Sequence, residues 1–111
     1  MDTYIGHGVS AEILDKLVER IVALTSPVKI ILFGSQARGQ GQPDSDLDLL
    51  VVKKEVNDQY HEALRLDRAL RDLMLPIDFV VVAEEQFNRY ATVPGTVYYH
   101  SWHEGHVLYA Q

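Results

Sequence analysis

Residues Ile30 to Val52 read IILFGSQARGQGQPDSDLDLLVV, and the reading of this stretch decides the fold. Val28 to Phe33 is apolar apart from Lys29, which predicts an inner strand. Gly34 and Ser35 break it, Gln36 to Arg38 can begin a short helix, and Gly39, Gly41 and Pro43 make a loop. Asp46 to Val52 is a second strand. Its alternation puts Asp46, Asp48, Leu50 and Val52 on one face and Leu47, Leu49 and Val51 on the other. The second face is apolar throughout, whereas the first opens with two acids roughly 6.7 Å apart along the backbone.

On the N-terminal side, Ser10 can cap a helix whose buried face is Ile13, Leu14, Leu17, Val18, Ile21 and Val22, with Pro27 ending it. On the C-terminal side, Asn57 or Asp58 can cap a long helix to about Leu75, with Tyr60, Ala63, Leu64, Leu70, Leu73 and Met74 at helical spacing. Pro76 stops it. Ile77 to Val82 is a third strand, carrying Asp78. A short helix follows around Glu84 to Tyr90. Pro94 opens another, which Gly105 should end as a left-handed C-cap, and Val107 to Tyr109 adds a last strand. Helices alternating with strands predict an α/β or α+β sandwich around a short sheet in a single domain, residues 1–111. Pattern does not order the strands.

Two carboxylates on one face repel and lose hydration unless a cation lies between them. Hard oxygen ligands select Mg²⁺ or Mn²⁺. Asp78 is similarly placed, one residue into a strand that could neighbour the second. Three converging acids can hold two ions roughly 3.5–4 Å apart. Gly34 and Ser35, at a strand end and helix start, offer backbone N–H groups and a hydroxyl to an anion, and Arg38 lies one turn on. One half of the segment suits phosphates and the other divalent metals; together they suit a metal–nucleoside triphosphate.

Composition narrows the class. The net charge of −6 argues against non-specific coating of nucleic acid and against docking on anionic membranes. The absence of cysteine removes disulfides, thiol catalysis and thiolate metal sites. The opening MDTYIGHGVS has no basic region and no long apolar stretch, so no signal peptide is expected, and no apolar run approaches the roughly 20 residues of a membrane span. A cytoplasmic protein is expected.

Gly34-Ser35, a ten-residue spacer, Asp46-Leu47-Asp48 and the later Asp78 resemble the hallmark of the nucleotidyltransferase superfamily that includes polymerase beta. The wording GSQARG…SDLDLLVV is similar in particular to the minimal nucleotidyltransferases, and EGHVLY resembles that family's closing turn and strand. The resemblance implies a mixed β-sheet flanked by helices. It implies that Asp46 and Asp48 bind both metals, that Asp78 binds the one activating the attacking hydroxyl, and that Ser35 holds the triphosphate, with Gly34 and Arg38 beside it. It further implies ATP as donor and a helical HEPN protein as partner, this chain acting as antitoxin and transferring AMP to a partner tyrosine.

Two other readings stand beside it: a binding module that neutralises a partner by contact alone, and a small-molecule nucleotidyltransferase with a separate substrate-binding subunit. The sequence leaves oligomeric state open, self-association included. His100, His103 and His106 recur at intervals of three but are read as surface or core residues, because Gly105 separates the last from the helix. Arg65, Arg68 and Arg71 read as a solvated helix face with i, i+4 pairs Asp67–Arg71 and Arg68–Asp72. The aromatics Tyr98, Tyr99 and Trp102 read as core, with a partner interface as the alternative.

Overall fold

A computed structural model describes residues 10–37 and 46–111, with backbone only at residues 35 and 36. The elements run α1 (Ala11–Thr25), β1 (Lys29–Phe33), α2 (Gly34–Ala37), β2 (Leu47–Lys53), α3 (Gln59–Ala69), a 3₁₀ turn (Arg71–Leu73), β3 (Ile77–Ala83), α4 (Glu84–Tyr90), α5 (Val97–Glu104) and β4 (His106–Ala110). The strands form one mixed sheet in the order β3-β2-β1-β4. β1 pairs antiparallel with both β2 and β4, while β2 and β3 are parallel. A parallel pair needs a crossover connection, and α3 supplies it.

The alternation in β2 sorts the core into two layers. Leu47, Leu49 and Val51 pack with Leu14, Leu17 and Ile21 of α1 and Leu66 of α3. Leu50 and Val52 pack on the other side with Val82, Phe87 of α4 and Ala91. Ile30, Ile31 and Leu32 of the inner strand β1 are wholly buried. The sheet therefore carries helices on both faces, an α+β arrangement. Among the described residues, no helix is long and apolar enough to cross a membrane.

The caps follow the local chemistry. Ser10 Oγ accepts from the Ile13 N–H at 3.2 Å, and Asp58 Oδ1 accepts from the His61 N–H at 3.1 Å. α1 ends at Ser26, which takes a left-handed φ of 48°.

Several expectations need correction. The third helix stops at Ala69, well before Leu75: Arg20 reaches across from α1, donating to the Ala69 carbonyl at 2.7 Å and to Asp72 at 2.8 Å, and the chain tightens into the 3₁₀ turn. Asp72 thus pairs with Arg20 rather than Arg68, although Arg71–Asp67 forms at 3.1 Å as expected. Tyr60 and Met74, placed at core spacing by the longer helix, are 79% and 86% exposed. Pro94 precedes a turn, and α5 begins after Thr96, whose hydroxyl accepts from the Tyr99 N–H. Gly105 closes α5 with φ −92°, not a left-handed angle; its missing side chain answers crowding, since a β-carbon would lie 2.6 Å from the Leu32 carbonyl oxygen.

Candidate functional site

The sheet register builds the site. At one end of the sheet runs a row: Phe33 of β1 faces Asp48 of β2, and Asp48 faces Asp78 of β3. Leu47 starts β2 by donating its N–H to the Pro76 carbonyl at 2.8 Å, which locks β2 and β3 in this register at their first residues. Because the two strands run parallel, both acids sit at the same end of the sheet. Asp46 immediately precedes β2, two residues from Asp48, and its charge is felt at Asp78.

Gly34 closes the site from the β1 side. Its φ of +80° lies in the left-handed region, which glycine adopts at little cost. A β-carbon there would collide with Oδ2 of Asp48, so the Asp48 carboxylate occupies the space that any other residue would fill. Sequence reasoning proposed Gly34, Asp46, Asp48 and Asp78 as one constellation, and the fold brings all four to one end of the sheet. Of the remaining expected residues, Ser35 follows Gly34 in α2 and is described by its backbone, and Arg38 lies outside the described residues.

The carboxylates feel one another. Desolvation first, then the charge of Asp46, the hydrogen bond to it, and the charge of Asp67 hold the Asp78 carboxyl above its ordinary range. Burial and neighbouring like charges disfavour the ionised form in this way. Among the described residues, no three His, Asp or Glu side chains are gathered closely enough to hold one ion. The donor set is nonetheless all hard carboxylate oxygen, the chemistry that suits Mg²⁺ or Mn²⁺.

His100, His103 and His106 each face a different partner. His100 meets Glu104 at 3.4 Å, His103 stacks on Tyr99 at 4.1 Å between ring centres, and His106 reaches the Ala37 carbonyl oxygen at 2.8 Å. Two features carry no local sequence signal. A cleft of about 250 Å³ opens beside Asp78, walled by Tyr60, Leu64, Ile77 and Phe79 with Asp67 at its side. The His106–Ala37 contact spans 69 positions of sequence.

Residues 14–104 match the family model described as a nucleotidyltransferase domain. No curated protein matches the chain. Among solved structures, a Sulfolobus solfataricus protein described as a nucleotidyltransferase is 25% identical, with a TM-score of 0.56 over 70% of each chain. A toxin–antitoxin structure with AMP-PNP aligns at 20% identity and a TM-score of 0.51, over 87% of this chain and 73% of that one. The toxin–antitoxin MntA-HpeT, in a mutant with two aspartates exchanged for glutamate, aligns at 19% identity and a TM-score of 0.51, over 88% and 73%. These last two likenesses are of fold.

Proposed function

Since this chain belongs to the nucleotidyltransferase domain family, we propose that it transfers a nucleoside monophosphate from a nucleoside triphosphate to a hydroxyl group. The observation that best supports the site is the row at one end of the sheet: Gly34 beneath Asp48, Asp48 opposite Asp78, and the charge of Asp46 felt at Asp78.

In this reading Asp46 and Asp48 hold two Mg²⁺ or Mn²⁺ ions, and Asp78 holds the one on the acceptor side. Bound there, the metals would lower the acceptor hydroxyl's pKa and neutralise charge on the triphosphate and the leaving pyrophosphate. Gly34 lets the backbone approach the phosphates closely, and Ser35 and Arg38 bind them. The hydroxyl oxygen forms its bond to the α-phosphorus as the bond from that phosphorus to the bridging oxygen breaks. Pyrophosphate leaves, and the hydroxyl's proton passes to Asp78 or to solvent. The residues contribute mainly position and charge.

The finer assignment is a minimal nucleotidyltransferase that uses ATP in the cytoplasm and modifies a protein, as antitoxin to a HEPN-type toxin with a tyrosine as acceptor. Its support is the GSQARG…SDLDLLVV motif, together with a fold shared with two toxin–antitoxin structures, one of which holds AMP-PNP. The test is incubation with ATP labelled at the α-phosphate, Mg²⁺ and the helical protein encoded beside this gene. Label on the partner, lost with Asp48→Asn, is expected. A stable but unlabelled complex would establish the contact-only binding module instead, and label on a small hydroxylated molecule would establish the small-molecule enzyme.

A further inference from the structure

The helix α2 is a single turn, Gly34–Ala37, and in the proposed reading it carries the phosphate-binding Gly34 and Ser35. A turn this short has no stability of its own, since helix nucleation is unfavourable. Its position must come from outside. At its start, Gly34 continues from β1 under the Asp48 carboxylate. At its end, Ala37 is buried in the core layer beneath α1, and its carbonyl meets Nε2 of His106 at 2.8 Å. A carbonyl only accepts, so Nε2 is the protonated nitrogen in this bond. A carbonyl in the last turn of a helix lacks an intrahelical partner, and a histidine donor there also suits the negative end of the helix dipole.

His106 is itself rigidly held. It begins β4, where it faces Leu32 of β1 in the antiparallel register. Gly105 before it packs closely on β1, with the Leu32 carbonyl oxygen 2.6 Å from where a β-carbon would stand. His106 therefore links the β1–β4 pair to the far end of α2, while the residue itself is exposed.

We propose that His106 is a positioning residue for nucleotide binding, holding α2 at the angle at which Gly34 and Ser35 meet the triphosphate. The inference rests on the nucleotidyltransferase reading of those two residues. In this proposal His106 acts through the Ala37 carbonyl.

The experiment compares the full chain with His106→Ala and His106→Gln, by calorimetric titration with Mg–ATP and by thermal melting without nucleotide. Loss of one hydrogen bond should weaken Mg–ATP binding about three- to tenfold in His106→Ala. The melting temperature should hardly change, since the side chain is exposed. His106→Gln keeps an N–H donor and should recover much of the affinity. Equal binding by His106→Ala and the parent overturns the proposal. So does weakened binding that tracks a lowered melting temperature and is not rescued by glutamine, which would make His106 a mere strut of the fold. A parent protein that binds no Mg–ATP removes the nucleotidyltransferase reading itself, and the proposal falls with it.

Discussion

The carboxylate of Asp48 rests over the backbone of Gly34, in the volume a β-carbon would need. Two costs therefore meet in Gly34→Ala: a side chain at φ +80° and a displaced carboxylate. Gly95 separates them, having φ +89° but nothing within 4 Å of its missing β-carbon. Gly95→Ala should destabilise by about 1 kcal/mol, the backbone cost alone. Gly34→Ala should lose about 2 kcal/mol or more and should also lose Mg–nucleotide binding. Denaturant melts and titration calorimetry read both. Equal effects of the two substitutions would remove the Gly34–Asp48 relationship from the site.

Two aspartates should respond to pH with opposite sign. The Asp78 carboxyl titrates higher folded than unfolded, because of desolvation and Asp46. The stability linked to it is fully present below the unfolded value of about 3.8 and is lost as pH rises through the raised value. Asp78→Asn should thus melt higher than the parent at neutral pH in chelator, and the two should converge in acid. Asp72 is the reverse: the hydrogen bond and charge of Arg20 lower its carboxyl. Its contribution is present above the unfolded value and is lost as pH falls through the lowered one. Asp72→Asn should melt lower at neutral pH and converge with the parent in acid. Melting curves from acid to neutral pH decide each.

Much of this was legible locally. The two-faced alternation of β2 foretold both core layers, and the same alternation put Asp46 and Asp48 on one face. Asp78 was placed by its position one residue into an apolar strand. The caps at Ser10 and Asp58 also came from local chemistry. What was not legible arises between distant residues. The apolar rhythm of α3 runs on through Leu70, Leu73 and Met74, yet Arg20, 49 positions from Ala69, takes the helix's terminal carbonyl, and Met74 turns left-handed with φ 58°. The strand order, the cleft between α3 and β3 beside Asp78 and the His106 contact are likewise made between residues far apart in sequence, which no periodicity encodes.

Contact and chemistry should separate at Asp46. It precedes β2, is exposed, and its charge opposes that of Asp78, so removing its charge should leave the fold intact. Asp46→Asn should still copurify with the partner protein, yet leave the partner's mass unchanged in ATP and Mg²⁺. The parent should add the mass of one AMP. Intact mass spectrometry of the two mixtures reads the difference, and transfer by Asp46→Asn at the parent's rate would exclude Asp46 from metal binding.

Gly105 tests whether its role is angle or space. With φ −92°, any residue could adopt its backbone. If space governs, every side chain is penalised alike, because a β-carbon there meets the Leu32 carbonyl oxygen at 2.6 Å and a methyl of Ile31 at 2.9 Å. Those neighbours are backbone and wholly buried core and cannot swing aside. Gly105→Ala should therefore destabilise by about 1–3 kcal/mol, the usual cost of overpacking. Asn, which tolerates left-handed turns and rescues many helix C-caps, should do no better than Ala here. It should do worse if its larger side chain is forced toward the junction of α5 and β4. Chemical denaturation of both variants supplies the comparison. A Gly105→Asn protein clearly more stable than Gly105→Ala would restore the left-handed cap that the backbone angle excludes.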